Sequence, residues 1–129
     1  MSDEKQPLGS IGWIDLTIEN ADEVRDFYQK VIGWKSANVS MGDYNDYCMI
    51  PEGAEAPVAG VCHARGVNAD IPSQWIIYIT VENLKKSMAA CKAAGGEVVL
   101  GPKDAGEHGR FCVIKDPSGA AAGLFEYAK

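Results

Sequence analysis

The side chains best suited to acid–base chemistry in this chain are Asp15 and His108. Asp15 interrupts the apolar segment Ile11–Ile18, and a carboxylate placed there must be paired, be solvated in a cavity or have a shifted pKa, because burying it unpaired is costly. His108 lies in a glycine-containing loop, and Arg110 follows it in the next predicted strand. We therefore treat Asp15 and His108 as candidate acid–base groups and Arg110 as a candidate ligand contact. For Arg110, the alternative is a structural ion pair with Asp116.

The cysteines favour a reducing environment over a metal or disulfide framework. The four of them are widely spaced with no Cys-x-x-Cys pair, at Cys48, Cys62, Cys91 and Cys112. This spacing does not predict a zinc cluster, and a chain of this length needs no disulfides. We expect reduced thiols in a cytoplasmic protein. Cys62 would be a nucleophile only if a basic neighbour lowered its pKa, and no such neighbour is evident on its face of the strand.

The elements that position these residues occur twice along the chain. Ile11–Ile18 alternates apolar and polar residues, which predicts a strand. Asn20 follows as a helix N-cap with Glu23 as its capping-box partner, and Gly33 is placed to end the helix. The helix stripe consists of Val24, Phe27, Tyr28, Val31 and Ile32. Three strands complete the unit, at about 36–41, 43–50 and 57–63.

The second half of the chain repeats this order. A strand at 75–81 leads to a helix capped by Asn83, and Gly95 and Gly96 end that helix. Three strands follow at about 97–101, 110–115 and 120–127, with a turn at 116–119. The sequence therefore predicts an α+β fold built from two tandem βαβββ modules.

An internal duplication supports this reading. Aligning the chain with itself at an offset of 63 residues makes the starts of strands, the helix caps and the last strands coincide. The identical pairs are Ser10/Ser73, Ile14/Ile77, Thr17/Thr80, Glu19-Asn20/Glu82-Asn83, Gly33/Gly96 and Ala59-Gly60/Ala122-Gly123. We treat residues 1–129 as one domain with module one at 9–66, a linker at 67–73 and module two at 74–129.

Composition excludes several classes of function. The 129 residues carry a formal net charge of −6, and no cluster of Lys and Arg stands out, so a nucleic-acid partner is not expected. No apolar run approaches the roughly 18 residues that a membrane-spanning helix needs, and the polar N-terminus lacks the apolar stretch of a signal peptide.

Several strings carry a family resemblance over about residues 9–127. They are Trp13–Thr17, Phe27-Tyr28, Gly33-Trp34, Val58–Val61, Trp75–Glu82, Gly109–Phe111 and Asp116–Ala120. The chain resembles the vicinal oxygen chelate superfamily of glyoxalases, bleomycin-resistance proteins and extradiol dioxygenases, and is most similar to glyoxalase-related bacterial proteins. The resemblance implies that the paired modules curl into an incomplete barrel whose concave face holds a ligand or metal. It also makes a homodimer expected, since single-chain members commonly pair.

The resemblance also locates the positions at which metal-dependent members carry their ligands. In this chain those positions fall on Trp13, Gly60, Ile76 and Gly123. None of these side chains can donate a lone pair to a divalent ion, so we predict no metal cofactor. The alternative is a divalent metal held by His63, His108 and Asp15, although strict alternation turns His63 away from the face of Gly60.

The concave face implied by the resemblance is then an apolar cleft with few polar groups, which is the usual form of a small-molecule site. We expect glycine to leave room at its floor. The predicted ligand contacts are Trp13, Asp15, Thr17, Gly60, Cys62, Ile76, Tyr78, Gly123, Phe125 and Arg110.

Three functions remain open from the sequence. The first is a metal-free protein that binds a small molecule, aromatic or cationic. The second is a metal-dependent lyase, isomerase or dioxygenase of the glyoxalase kind. The third is a metal-free enzyme that uses Asp15 or His108 as its acid or base.

Overall fold

The computed structural model describes residues 6–129, and its elements follow the predicted order. Within those residues the elements are β1 (Ile11–Ile18), α1 (Ala21–Ile32), β2 (Lys35–Ser40), β3 (Asn45–Ile50), β4 (Ala59–His63), β5 (Trp75–Thr80), α2 (Leu84–Ala93), β6 (Glu97–Asp104), β7 (Gly109–Lys115) and β8 (Ala121–Tyr127). Two short 3-10 turns lie at Gly66–Asn68 and Gly106–His108. The α+β class and the doubled βαβββ order are confirmed.

The chain forms two compact units whose boundaries differ from those of the sequence repeat. One unit is Ile14–Trp75, and the other joins Ile76–Lys129 to the chain up to Trp13. The N-terminal segment joins the second unit through backbone hydrogen bonds. The Gly9 N–H donates to the Thr80 carbonyl at 2.8 Å, and the Thr80 N–H donates to the Ser10 carbonyl at 2.9 Å. Residues 9–13, which we expected to open module one, therefore pack with module two.

The strands of the two modules pair in the same way. In module one the order is β2-β3-β4-β1, and Asp15 in β1 lies opposite Gly60 in the parallel strand β4. In module two the order is β6-β7-β8-β5, and Tyr78 in β5 lies opposite Gly123 in β8. Both pairs are related by the offset of 63 residues, so the duplication seen in the sequence is also one of strand register.

Helix α1 packs on module one through only part of its apolar stripe. Val24 and Tyr28 pack on the buried residues Ala21, Tyr47, Met49 and Val61. The remaining stripe residues are exposed, with 54% for Phe27, 64% for Val31 and 52% for Ile32. Only part of the predicted stripe is buried, because one sheet face covers only one side of the helix.

The two helix N-termini are capped differently. Asn83 caps α2 as predicted, since its side chain accepts a hydrogen bond from the Lys86 N–H at 3.0 Å. Asn20 makes no side-chain cap, and its amide donates to the Glu23 carboxylate at 3.0 Å instead. The predicted capping box at α1 is therefore wrong. Gly33 does end α1 in the left-handed conformation, with φ of 82°.

Helix α2 packs on the outer face of the module-two sheet. Leu84, Cys112 and Leu124 form the buried centre of this contact, and Ile79 and Met88 pack against it. Alternation along β5 then turns Ile76, Tyr78 and Thr80 to the opposite face. Among residues 6–129, no helix is long and apolar enough to span a membrane.

Candidate functional site

In module one, the predicted site residues lie on the sheet face that α1 does not cover. Asp15 pairs in register with Gly60, Gly60 pairs with Cys48, and Cys48 pairs with Ala37 of the outermost strand. Directly opposite residues share a face of the sheet. Along this row Gly60 is buried, Asp15 and Cys48 are half-buried, and Ala37 is exposed. The face is thus accessible at its β2 side and carries a carboxylate at its β1 end.

A second row on the same face contains the other predicted contacts. Thr17 is 2% exposed and lies opposite Cys62. The Cys62 thiol hydrogen-bonds to Asp46, a residue that is 5% exposed. Burial raises the pKa of the Cys62 thiol, and the negative charges of Asp15 and Asp46 raise it further. Cys62 is therefore a neutral thiol and not an activated nucleophile.

Asp46 is a functional candidate that the sequence reasoning missed. Besides contacting Cys62, its carboxylate accepts the backbone N–H of His63 at 2.8 Å and lies 3.2 Å from the His63 Nδ1. Its position two residues before Cys48 was the available signal, because alternation places both on one face. Nothing in the sequence indicated that this aspartate would be buried.

His63 projects to the α1 side of the sheet, as alternation predicted. Its ring packs edge-on against Tyr44, with 5.3 Å between ring centroids, and its Nε2 lies 3.4 Å from the Asp22 carboxylate. Tyr47 donates its hydroxyl hydrogen to the same Asp22 oxygen, and this bond holds the pKa of Asp22 below its usual value. His63 therefore belongs to a polar cluster between α1 and the sheet, away from the face of Gly60.

In module two, the equivalent face is filled by its own side chains. Ile76 is 0%, Tyr78 6%, Thr80 4% and Phe125 3% exposed. The Tyr78 ring covers the α-carbon of Gly123 so closely that a methyl group there would overlap it. The ring also packs edge-on against Phe111, with 6.0 Å between centroids. The expectation that Gly123 leaves room for a ligand was wrong, because the aromatic ring takes that space.

Arg110 and the loop before it have structural partners. The Arg110 guanidinium lies 3.2 Å from the Glu126 carboxylate, whose other oxygen accepts the Leu84 N–H at 2.7 Å. These contacts hold the pKa of Glu126 below its usual value. The suggested ion pair of Arg110 with Asp116 was wrong, since Asp116 accepts hydrogen bonds from Ser118 in the turn before β8. His108 is half-buried at the end of its 3-10 turn.

The remaining predicted contact is Trp13. It is half-buried in β1. The ligand-binding roles of all ten predicted contacts stay predictions. The filled face of module two, where the Tyr78 ring covers Gly123, leaves the row of Asp15 and Gly60 as the more open of the two.

The residues present do not fit the metal centre that the fold implies. Trp13, Gly60, Ile76 and Gly123 lie at the positions that the resemblance assigns to metal ligands, and the Tyr78 ring fills the space in front of Gly123. Within the described part of the chain, no three side chains of His, Cys, Asp or Glu are grouped so that they could hold an ion. His63 is engaged with Asp46 and Asp22, which removes it from the module-one face.

The fold and the sequence together define the class of protein. Residues 10–123 match the Glyoxalase/Bleomycin resistance protein/Dioxygenase superfamily, and the chain belongs to that family. Among curated proteins it is similar to "Putative glyoxylase CFP32" of Mycobacterium tuberculosis, with 30% identity over 112 residues that cover 87% of this chain and 42% of the relative. It is also similar to the anthracycline biosynthesis protein DnrV of Streptomyces peucetius, with 27% identity over 88% of this chain and 45% of the relative.

The chain thus spans less than half the length of these curated relatives. Among solved structures, methylmalonyl-CoA epimerase from Streptomyces coelicolor in complex with 2-nitronate-propionyl-CoA has a TM-score of 0.56 at 14% identity, covering 95% of this chain and 99% of the epimerase. Methylmalonyl-CoA epimerase from Mycobacterium tuberculosis has a TM-score of 0.54 at 13% identity, covering 98% of this chain and 95% of the epimerase. At these identities the likeness shows the fold alone.

Proposed function

We propose that this protein binds a small organic molecule on the module-one face without a metal ion. The observation that carries the proposal is the difference between two equivalent strand pairs. In module two the pair Tyr78–Gly123 fills its own face with an aromatic ring. In module one the same positions are Asp15 and Gly60, so a short carboxylate stands where the ring would be.

The chemistry of this face favours a cationic guest. Asp15 brings a half-buried carboxylate to it. The carboxylate of Asp46 is buried and bonded to His63, and the negative charges of both residues act on the Cys62 thiol. A carboxylate in a partly dehydrated setting attracts an amine or other cation more strongly than one in water does. The backbone of Gly60 permits close approach of a flat ligand. We therefore propose a small aromatic amine as the ligand class.

A CoA ester is the competing ligand class. It is supported by the solved epimerase complex, whose fold this chain shares. A CoA ester is anionic, so it would be repelled by the carboxylates of the module-one face. The sign of the ligand charge therefore separates the two classes.

A metal-free enzyme is the second candidate function, and the same carboxylate supports it. Asp15 lies half-buried beside Gly60, where it would act as a general base for a bound substrate. His108, the other candidate acid–base group, lies at the end of the 3-10 turn before β7. For a metal-dependent lyase, isomerase or dioxygenase, the four replaced ligand positions argue against the assignment.

The four cysteines are free thiols, which supports a reducing compartment, and we propose the cytoplasm. Neither a nucleic acid nor a membrane is proposed as a partner. The net charge of −6 would repel a phosphate backbone.

The test measures equilibrium binding of ligands to chelator-treated protein. Binding is measured by calorimetry and by tryptophan fluorescence. The panel contains aromatic amines, neutral aromatics and acyl-CoA esters. We expect saturable binding of aromatic amines that a chelator leaves unchanged. Asp15→Asn should weaken it roughly tenfold or more, because a hydrogen bond to a charged group is lost. The matched control is Asp70→Asn, which changes an exposed carboxylate in the same unit and should leave affinity unchanged.

Two results would contradict the proposal. One is binding of acyl-CoA esters that is independent of Asp15, which would place the ligand elsewhere. The other is about one equivalent of tightly held metal in the purified protein together with binding that a chelator abolishes.

A further inference from the structure

The carboxylate of Asp46 lies where the pairing of two strands ends. The ladder between β3 and β4 ends at Tyr47 and Val61. His63, two residues beyond Val61 in β4, donates its backbone N–H to the Asp46 carboxylate at 2.8 Å. A side chain thus takes the part of a ladder partner at this end of the sheet, where groups from both faces of the sheet can reach it.

Two side chains reach this carboxylate, one from each face of the sheet. The Cys62 thiol hydrogen-bonds to it on the module-one face, and the His63 ring places its Nδ1 3.2 Å from it on the α1 side. An ionised carboxylate only accepts hydrogen bonds, so Nδ1 carries the hydrogen in this contact. Together with the backbone N–H, these donors take up most of the roughly four acceptor sites of the carboxylate. Asp46 is 5% exposed and has little capacity left for a ligand.

The His63 ring is held in this position from its other side. Its Nε2 lies 3.4 Å from the Asp22 carboxylate of α1, and the His63 side chain is 13% exposed. The ring also packs edge-on against Tyr44. Contacts at both ring nitrogens and at the ring edge therefore oppose rotation away from Asp46, so the engagement of Asp46 is a fixed feature of the folded unit.

Asp15 is placed differently from Asp46. It is half-buried beside Gly60, in the row that runs across the sheet to the exposed strand β2. We propose that His63 makes the module-one face selective for ligands with a single cationic group, because it engages Asp46 and leaves Asp15 to receive the ligand. This selectivity rests on the proposed function, the binding of a cationic molecule at Asp15. A second cationic group would have to displace His63 from a buried carboxylate, and the lost hydrogen bond would offset the new one.

The strand order gives the distance that a ligand with two cationic groups would have to span. β1 and β3 lie on either side of β4, so Asp15 and Asp46 belong to strands about 10 Å apart. Para-xylylenediamine carries an ammonium group at each end of one aromatic ring, a separation of the same order. Benzylamine has the same ring with one ammonium group. The two probes therefore differ in the group that Asp46 would receive.

Two substitutions of His63 separate the contacts of its ring. The amide of Asn can take the place of Nδ1, so His63→Asn keeps a donor to Asp46, whereas the longer Gln reaches the position of Nε2, so His63→Gln keeps only the contact with Asp22. Calorimetric titration at neutral pH should show the wild type binding the two amines with dissociation constants within about threefold of each other. His63→Gln should favour the diamine by about tenfold or more, because the released carboxylate gains a charge-assisted hydrogen bond. His63→Asn should keep the wild-type ratio.

Asp46→Asn, added to His63→Gln, should remove the preference for the diamine. The selectivity is overturned, and the proposed function stands, if benzylamine binds through Asp15 but His63→Gln leaves the ratio unchanged. A wild type that already prefers the diamine by about tenfold, or equal preferences in His63→Asn and His63→Gln, overturns it as well. Binding of neither amine, or amine binding that Asp15→Asn leaves unchanged, overturns both. Circular dichroism and thermal unfolding of each variant show that the fold is intact.

Discussion

The phenol ring of Tyr78 lies against the α-carbon of Gly123, on the parallel strand next to it. A carboxylate at position 123 would be a metal ligand in the metal-dependent relatives that the sequence resembles. Here even a methyl group would overlap the Tyr78 ring. The absence of a side chain at position 123 and the presence of the Tyr78 ring are thus parts of one packing arrangement.

The first prediction concerns this pair of residues. Gly123→Ala should destabilise the protein by about 1–3 kcal/mol, because the added methyl group overpacks a filled interior. Tyr78→Ala removes the ring, so the double variant should be more stable than the sum of the two single effects predicts. Urea unfolding of the four proteins in a double-mutant cycle measures this coupling. Additive effects of the two substitutions would show that the contact is not formed.

The second prediction concerns the buried carboxylate of Asp46. Asp46→Ala should destabilise the fold by about 1–3 kcal/mol, because the His63 N–H loses its buried acceptor. The control is Asp43→Ala, at an 83% exposed carboxylate that lies 3.9 Å from Arg65. This control should stay within about 0.5 kcal/mol of the wild type. Equal effects of the two substitutions in chemical denaturation would contradict the role of Asp46.

The third prediction concerns stability at acid pH. In the folded protein the pKa of Glu126 lies below its ordinary value of 4.5, chiefly because its carboxylate accepts the Leu84 N–H and also because Arg110 is near. Its charged form therefore stabilises the fold fully above the unfolded-state pKa, and this contribution is lost as the pH falls through the lower folded-state pKa.

Glu126→Gln keeps an acceptor for the Leu84 N–H but removes the charge. We expect a loss of about 1 kcal/mol at neutral pH, as for a weakened helix cap, and a shallower decline of stability in acid. Glu97→Gln, at an exposed carboxylate of β6, should leave the pH profile of the wild type unchanged. The measurement is the free energy of unfolding of both variants and the wild type from pH 7 down to about pH 3. An unchanged acid decline in Glu126→Gln would contradict the assignment.

The fourth prediction concerns thiol reactivity. Burial raises the pKa of the Cys62 thiol, as do Asp15 and Asp46, and burial raises the pKa of Cys112 to about 11. Since the thiolate is the reactive species, neither cysteine should be alkylated by iodoacetamide at neutral pH in the folded protein. Mass spectrometry should find all four cysteines alkylated after unfolding. Rapid alkylation of Cys62 in the folded state would instead indicate an activated nucleophile and an enzyme.

Much of the fold could be predicted because its signals are local. β1 has the predicted bounds, and Asn83 and Gly33 cap their helices as predicted. β6 was predicted to end at residue 101 but extends to Asp104. Two register shifts carry that strand through Gly101 and Pro102, and such irregularities depend on the neighbouring strand, which a propensity pattern does not include.

The candidate site was less predictable because its residues are set by contacts between strands. Alternation correctly turned His63 away from Gly60 but could not find Asp46 as its partner across β3 and β4. The ion pair suggested for Arg110 was with Asp116, and the pairing of β7 with β8 placed it on Glu126 instead. Phe27 and Val31 fit the helix stripe, yet they remain exposed because the sheet covers only one side of α1.

The sequence by itself determined the duplicated α+β order and the family. Each of these follows from residue types and their spacing along the chain. The tertiary structure decided which of two equivalent glycines is covered by an aromatic ring. Gly60 and Gly123 are the same residue at matched positions of the repeat, and only the side chain across the sheet distinguishes them. That side chain is a carboxylate at Asp15 and a ring at Tyr78. How much space each fills depends on packing in three dimensions, which residue type and spacing do not determine.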